Sequence, residues 1–286
     1  MAFRDVLVIL RPYPAQVSEA AVDYAATVAT ALGARTSVIA CAVLPKVPQR
    51  ILGNALINVS GMIHEEGQKS EHSAKELVAL FVEAIKKKSG TLGDQFCLSR
   101  PSSEVPVVLA QHARLHDLTI LPLPEGDYVS QFDAQWYAET VMFDSGLPTM
   151  ILPEHPTPGA VAFDTVVVAW DKSRPAARSI ADAMPLLEKA GNVRLLTVLG
   201  EKRIADEPST AVMTQHLERH GVHVALDEVQ AGNRAIGEVL KAHVHSCRAD
   251  LLVMGAYGQS RFREFVVGGA TKSMLTHPPC PLFMSH

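Results

Sequence analysis

The chain has little of what marks a secreted, membrane-spanning or nucleic-acid-binding protein. Its 286 residues hold four cysteines, Cys41, Cys97, Cys247 and Cys280, none in a C-x-x-C pair. Neither a zinc ribbon nor a redox pair is indicated, and reduced thiols in or near a core are expected. No apolar run approaches the ~20 residues that cross a bilayer. The opening Met1-Ala-Phe-Arg-Asp5 is charged too early for a secretory leader, so a cytoplasmic location is expected. Basic residues are not in excess: 26 Lys and Arg against 30 Asp and Glu leave a formal charge of −4. A nucleic-acid grip needs a basic surface that displaces counterions, and none is expected here. The one basic run, Lys86-Lys87-Lys88, reads as the dipole-favourable end of a helix stopped by Ser89-Gly90.

Catalytic signatures are missing in the same way. There is no G-x-S-x-G elbow and no nucleophile with a recognisable base. His112 and His116, and again His216 and His220, stand four apart on presumed helices. Neither pair carries the H-E-x-x-H carboxylate or a nearby cysteine, so no metal site is expected.

What is present is a soluble globular composition, 48% hydrophobic and 20% charged, with enough length for one large domain or two ordinary ones. Strand and helix patterns alternate: Val6 to Leu10 apolar, Glu19 to Leu32 helical, Thr36 to Val43 apolar, Ser70 to Lys88 helical. Alternation of this kind predicts parallel strands joined by crossover helices. At Pro153-Glu-His-Pro-Thr-Pro-Gly159 the pattern breaks as a linker would, and it restarts at Asp164-Thr-Val-Val. The restart is a repeat. An offset of 159 lays Asp5-Val-Leu-Val on Asp164-Thr-Val-Val, and an offset of 133 lays Asp117-Leu-Thr-Ile-Leu on Asp250-Leu-Leu-Val-Met. The same 133 carries Leu147 to Leu152 onto Cys280 to Ser285, and the extra length of the first copy falls mostly around Pro45 to His64. The expected domains are therefore residues 1–152 and 161–286, with a linker at 153–160.

One stretch of the second copy stands apart. Its strand-like run Leu251 to Met254 ends at Gly255; Gly258 follows, then nine residues later Gly268-Gly269-Ala270-Thr271, with no breaker before Pro278. A strand, a glycine loop and a helix start in series form an anion site, because free N–H groups and the helix dipole point the same way. A plain strand-to-helix loop would also use such glycines. The spacing fits neither the Walker loop, since no Lys-Ser/Thr follows Gly258, nor G-x-G-x-x-G.

Gly255, Gly258 and Gly268 instead resemble the G-x2-G-x9-G-(S/T) loop of the universal stress protein (UspA-like) family, with Gly269 where the family usually has Ser or Thr. The resemblance implies an α/β fold of two tandem flavodoxin-like (adenine nucleotide alpha-hydrolase-like) domains, each a five-stranded parallel sheet with helices on both faces. It implies ATP or ADP as ligand, with or without magnesium. Ala169, Asp171 and Val198 would flank adenine and ribose, Met254 and Gly255 would continue that pocket, and Gly258, Gly268, Gly269, Ala270 and Thr271 would hold the phosphates. Asp171 reads equally well as a helix N-cap reinforced by Ser173. Val198 and Met254 read more readily as core than as ligand contacts. Arg261 and Arg263 lie within reach of phosphate or in solvent. Family members commonly pair through their last strands, so Pro148 to Leu152 and Pro281 to Met284 are expected to join within the chain as a pseudo-dimer, or the whole chain to form a homodimer.

In the first copy, Pro122, Glu125, Gln135, Trp136 and Ala138 stand opposite Gly255, Gly258, Gly268, Gly269 and Thr271, and Pro12 stands opposite Asp171. A proline lacks the N–H, and Glu125 adds negative charge where phosphate would sit. Only the second copy is expected to bind nucleotide. The expected role is a nucleotide-dependent stress-response or regulatory protein; the rival readings are a slow ATPase using the same pocket and a nucleotide-free interaction module.

Overall fold

The computed structural model describes residues 2–13, 16–44, 59–123, 128–154, 161, 163–199, 210–257 and 269–286. By compactness the chain divides into Arg4–Ser145 and a second unit of Met1–Phe3 with Gly146–His286.

The N-terminal unit contains β1 (Asp5–Leu10), α1 (Glu19–Leu32), β2 (Arg35–Leu44), α2 (Val59–Lys87), β3 (Thr91–Pro101), α3 (Val105–Ala113), β4 (Leu118–Pro122) and α4 (Tyr128–Ser145). Its strands run parallel in the order β3-β2-β1-β4. Val6 to Leu10 are buried throughout, as expected of a strand covered by helices on both faces. Helix α1 follows its sequence signals. Ser18 Oγ accepts the Ala21 N–H at its start, Gly33 ends it with a φ of 69°, and its alanine-rich face is buried against the sheet. Helix α2 starts at Val59 rather than at Ser70. The added turns run through Glu65-Glu66-Gly67-Gln68, which lacks the apolar periodicity that marks a helix in sequence. Residues 45–58 of the expected enlarged loop lie outside the described residues, as does most of the proline-rich stretch at 153–159.

The C-terminal unit holds β5 (Thr149–Leu152), β6 (Thr165–Ala169), α5 (Arg174–Leu187), β7 (Asn192–Leu199), α6 (Thr210–Arg219), β8 (Val224–Gln230), α7 (Ile236–Cys247), β9 (Leu251–Gly255), α8 (Gly269–Thr276) and β10 (Leu282–Ser285). Its strand order is β5-β10-β9-β6-β7-β8. Counted within the repeat, β6 to β10 lie in the order 3-2-1-4-5, all parallel, so the winding reverses between β6 and β9 rather than at the first and third strands as in flavodoxin.

One strand departs from a plain five-plus-five arrangement. β5, the last strand of the first repeat in sequence, groups with the C-terminal unit and runs antiparallel to β10, with Leu282 opposite Ile151 and Met284 opposite Thr149. The two strands expected to join do pair, and β10 has β9 on one side and β5 on the other. Sequence alternation reports which residues a strand buries but not which strand it pairs with, so this grouping is a tertiary property.

The repeat is visible in detail. Asp117 Oδ2 accepts the Arg4 and Asp5 N–H groups at 2.7 and 3.0 Å, and Asp250 Oδ2 accepts the Thr165 N–H at 2.9 Å. These aspartates are partners under the offset of 133, and in both copies each ties the start of a fourth strand to that of the first.

Candidate functional site

In an open parallel sheet, ligands sit beyond the carboxyl ends of the strands where the winding reverses. Here that point lies between β6 and β9, and the expected residues gather there. Ala169 pairs with Met254 across the two strands and with Leu196 on β7, two residues short of Val198. Met254 is buried, whereas Ala169 and Val198 are half-buried at the strand ends.

Beyond β6 the chain turns sharply into α5. Lys172 takes a φ of 63°, unusual for a residue with a side chain. Ser173, not Asp171, is the N-cap: its Oγ accepts the Ala176 N–H at 3.2 Å. Asp171 Oδ1 accepts the Ser173 N–H at 3.0 Å, a tight turn two residues long that leaves the exposed carboxylate at the mouth of the site. The sequence alone could not separate these roles, since either residue suits a cap.

Gly255, at the end of β9, has a steric reason to be glycine. A Cβ there would fall inside contact distance of the Ala176 nitrogen and the Pro175 carbonyl carbon, which are backbone atoms that cannot swing aside. The end of β9 is thus pressed against the first turn of α5. The next residues run toward α8. Tyr257 has a φ of 59°, and its N–H donates to Thr271 Oγ1 at 3.3 Å. Thr271 is only 3% exposed, so its hydroxyl acts first as a clasp between the loop and the first turn of α8. Gly269 is the first residue of α8, exposed, and among the described residues no atom lies within 4 Å of a Cβ placed on it. Ala270, next to it, is half-buried. Gly258, Gly268, Arg261 and Arg263 lie outside the described residues.

The segment Gly255 to Tyr257 therefore meets the third residue of two helices, Ala176 of α5 and Thr271 of α8. Two helix N-termini adjoin the segment that ends β9, which brings two positive dipole ends close to one locus and suits an anion. Sequence reading missed Tyr257, and it gave Ser173 only as reinforcing a cap at Asp171. Tyr257 carried no signal, because its contribution is a backbone N–H.

At two corresponding positions of the N-terminal unit large side chains are buried. Arg11 and Tyr137, which the two offsets put opposite Trp170 and Ala270, are 4% and 6% exposed. The Arg11 guanidinium carbon lies 5.9 Å from the Tyr137 ring centre, a cation–π distance. Pro122 ends β4 where Gly255 ends β9.

Other candidates resolve differently. His116 Nδ1 lies 2.9 Å from the His112 carbonyl oxygen, and the His112 ring packs on Phe96. Burial, followed by the charge of His116, lowers the His112 pKa. His216 and His220 stack edge to face. All four cysteines are free thiols; burial raises Cys280 to about 12 and Cys41 to about 11. A hollow of about 340 Å³ lined by Asn192, Glu218, Val222, His223, Val224 and Ala225 opens at the amino ends of β7 and β8, the opposite end of the strands from the switch point.

Residues 162–286 match the universal stress protein family, and the chain carries a domain of that family. Among solved structures, a universal stress protein from Archaeoglobus fulgidus is similar over 98% of this chain and 95% of its own, at 19% identity and a TM-score of 0.67. A functionally unknown protein from Pseudomonas aeruginosa is similar over 99% of this chain and 92% of its own, at 12% identity and a TM-score of 0.54. At these identities the likeness speaks for the fold alone, and it extends through both repeats. No curated protein matches the sequence.

Proposed function

We propose that the C-terminal unit binds one adenine nucleotide, ATP or ADP, with or without magnesium, and that the chain acts as a nucleotide-dependent regulatory protein of the stress response. The observation that carries this reading is the meeting of two helix N-termini, through Ala176 and Thr271, at the last residue of β9, Gly255, and the two residues after it. The phosphates would lie against these helix starts. The adenosine would lie over Ala169, Met254 and Val198, with Asp171 at the ribose. Binding at one unit only is supported by Arg11 and Tyr137, which are buried at two corresponding positions of the other. Because β10 already has a neighbour on each side, pairing within the chain stands in for last-strand pairing between subunits.

The test is direct. Protein purified without added ligand is denatured and its supernatant examined chromatographically, then ligand-free protein is titrated calorimetrically with ATP and ADP. One adenine nucleotide per chain is expected. No bound nucleotide and no heat with either ligand would leave the interaction-module reading. Turnover of bound ATP far above its spontaneous rate would establish the hydrolase reading.

A further inference from the structure

Away from the switch point, the C-terminal unit gathers four chemically active side chains from three elements. Arg194 on β7 grips Asp227 on β8 with two prongs, Nε to Oδ2 and Nη2 to Oδ1, both at 2.6 Å. His243 and Cys247, one turn apart on the same face of α7, approach that carboxylate. His243 Nε2 lies 2.9 Å from Asp227 Oδ2 and 3.4 Å from Cys247 Sγ. One ligand atom from each of Asp227, His243 and Cys247 falls within 4.8 Å of the other two.

Which nitrogen is involved decides what this group can do. A proton relay enters an imidazole at one nitrogen and leaves by the other. Here sulfur and carboxylate both face Nε2, so the three atoms converge on one point instead of forming a line. We propose that Asp227, His243 and Cys247 form a binding site for a divalent metal ion of the zinc type, with water as the fourth ligand. Zinc bonds of about 2.3 Å to sulfur and about 2.0 Å to nitrogen, set at a tetrahedral angle, separate the two ligand atoms by roughly 3.5 Å, close to the spacing found. The nitrogen–oxygen pair, now at hydrogen-bond distance, opens by a few tenths of an ångström. On ligation Cys247 releases its thiol proton to solvent and His243 carries its proton on Nδ1, which frees the Nε2 lone pair. Arg194 uses one lone pair on each oxygen of Asp227, so Oδ2 retains another for the metal while the guanidinium holds the carboxylate in place. The His243 and Asp227 side chains are 12% and 16% exposed, shielded yet reachable from solvent.

The first repeat serves as a control. Arg35 and Asp94, which the offsets of 159 and 133 place on Arg194 and Asp227, also pair, at 2.9 Å. The positions of His243 and Cys247 are there taken by Ala110 and Arg114. The arginine–aspartate pair thus belongs to the fold, whereas the two further ligands belong to the C-terminal unit alone.

Full-length protein stripped of metal and freed of chelator is titrated anaerobically with cobalt(II) as a spectroscopic probe. One ion per chain is expected, with a thiolate-to-cobalt charge-transfer band and visible absorption of tetrahedral intensity, both abolished by excess zinc. Cys247→Ser should remove the charge-transfer band, and His243→Ala should weaken binding more than about a hundredfold, beyond the range typical of losing an outer-shell partner. Cys97→Ser, an exposed thiol outside the cluster, should leave the spectrum unchanged. Zinc should also raise the thermal midpoint of the parent chain but not of Cys247→Ser. Absence of saturable binding, a spectrum of weak octahedral intensity, or a charge-transfer band that survives in Cys247→Ser would overturn the proposal.

Discussion

The two repeats keep the same frame and differ at the ends of their strands. In each, a fourth-strand aspartate, Asp117 or Asp250, ties in the first strand, and an arginine on the second strand pairs with an aspartate on the third. At the carboxyl ends the likeness stops. The N-terminal unit ends its fourth strand with Pro122 and buries Arg11 and Tyr137 where the C-terminal unit has Gly255, Trp170 and Ala270. The comparison teaches that the frame and the binding end of this fold are separable. Backbone ladders and buried β-branched residues maintain the first, while a few small residues that admit helix starts make the second.

Gly255→Val is the most disruptive way to break the contrast. The new side chain would collide with backbone at Pro175 and Ala176, so we expect a loss of more than about 4 kcal/mol in urea unfolding of the C-terminal unit, together with loss of nucleotide binding. Wild-type stability in this variant would show that α5 can move away from β9.

Next is Tyr137→Ala, which empties the filled position of the N-terminal unit. Truncating a buried aromatic should cost about 3 kcal/mol, while calorimetry still finds one nucleotide per chain, because Pro122 offers no backbone N–H. A second nucleotide bound by this variant would mean that side-chain filling alone had closed that site.

Thr271→Ala should have a smaller effect. Its hydroxyl clasps the Tyr257 N–H, and removing it leaves a partly buried donor without its partner, at a cost of about 1–2 kcal/mol. Because the clasp positions the loop and does not mark one phosphate, ATP and ADP should weaken by similar factors, and Thr271→Ser should restore both. A loss confined to ATP would instead put the hydroxyl at the terminal phosphate.

The smallest change is expected for Gly269→Ser. The position is exposed at the start of α8, with none of the described residues within 4 Å of an added Cβ, so stability should stay within about 0.5 kcal/mol. Affinity for ATP should rise modestly as a hydroxyl joins the phosphate end, and a fall would show that the glycine is kept for backbone freedom in the bound loop.

Much of this molecule was legible before any coordinates. The alternation of apolar runs and helical patterns, the two constant offsets, and the glycine at the end of Leu251 to Met254 are one-dimensional signals. Burial on both faces imposes the first, duplication the second, and a tight backbone approach the third. The expected start of α2 at Ser70 was late because a helix can run on through residues with no apolar stripe once its neighbour holds it.

Other features depend on which atoms the fold brings together. That Ser173 rather than Asp171 caps α5 depends on which N–H each side chain meets, Ala176 for Ser173 and Ser173 for Asp171, in a turn where both residues are chemically suited. That Gly255 is excluded from bearing a side chain depends on α5, some eighty residues earlier in the chain. The joining of β5 with β10 was implied by the family resemblance and by no spacing, and the convergence of Asp227 with His243 and Cys247 joins residues whose spacing matches no motif. Composition and periodicity by themselves determined the α/β frame, its duplication and the strand that leads to the site. Only tertiary packing decided which backbone groups and side chains meet there, because hydrogen-bond geometry and steric exclusion act between elements that sequence distance does not relate.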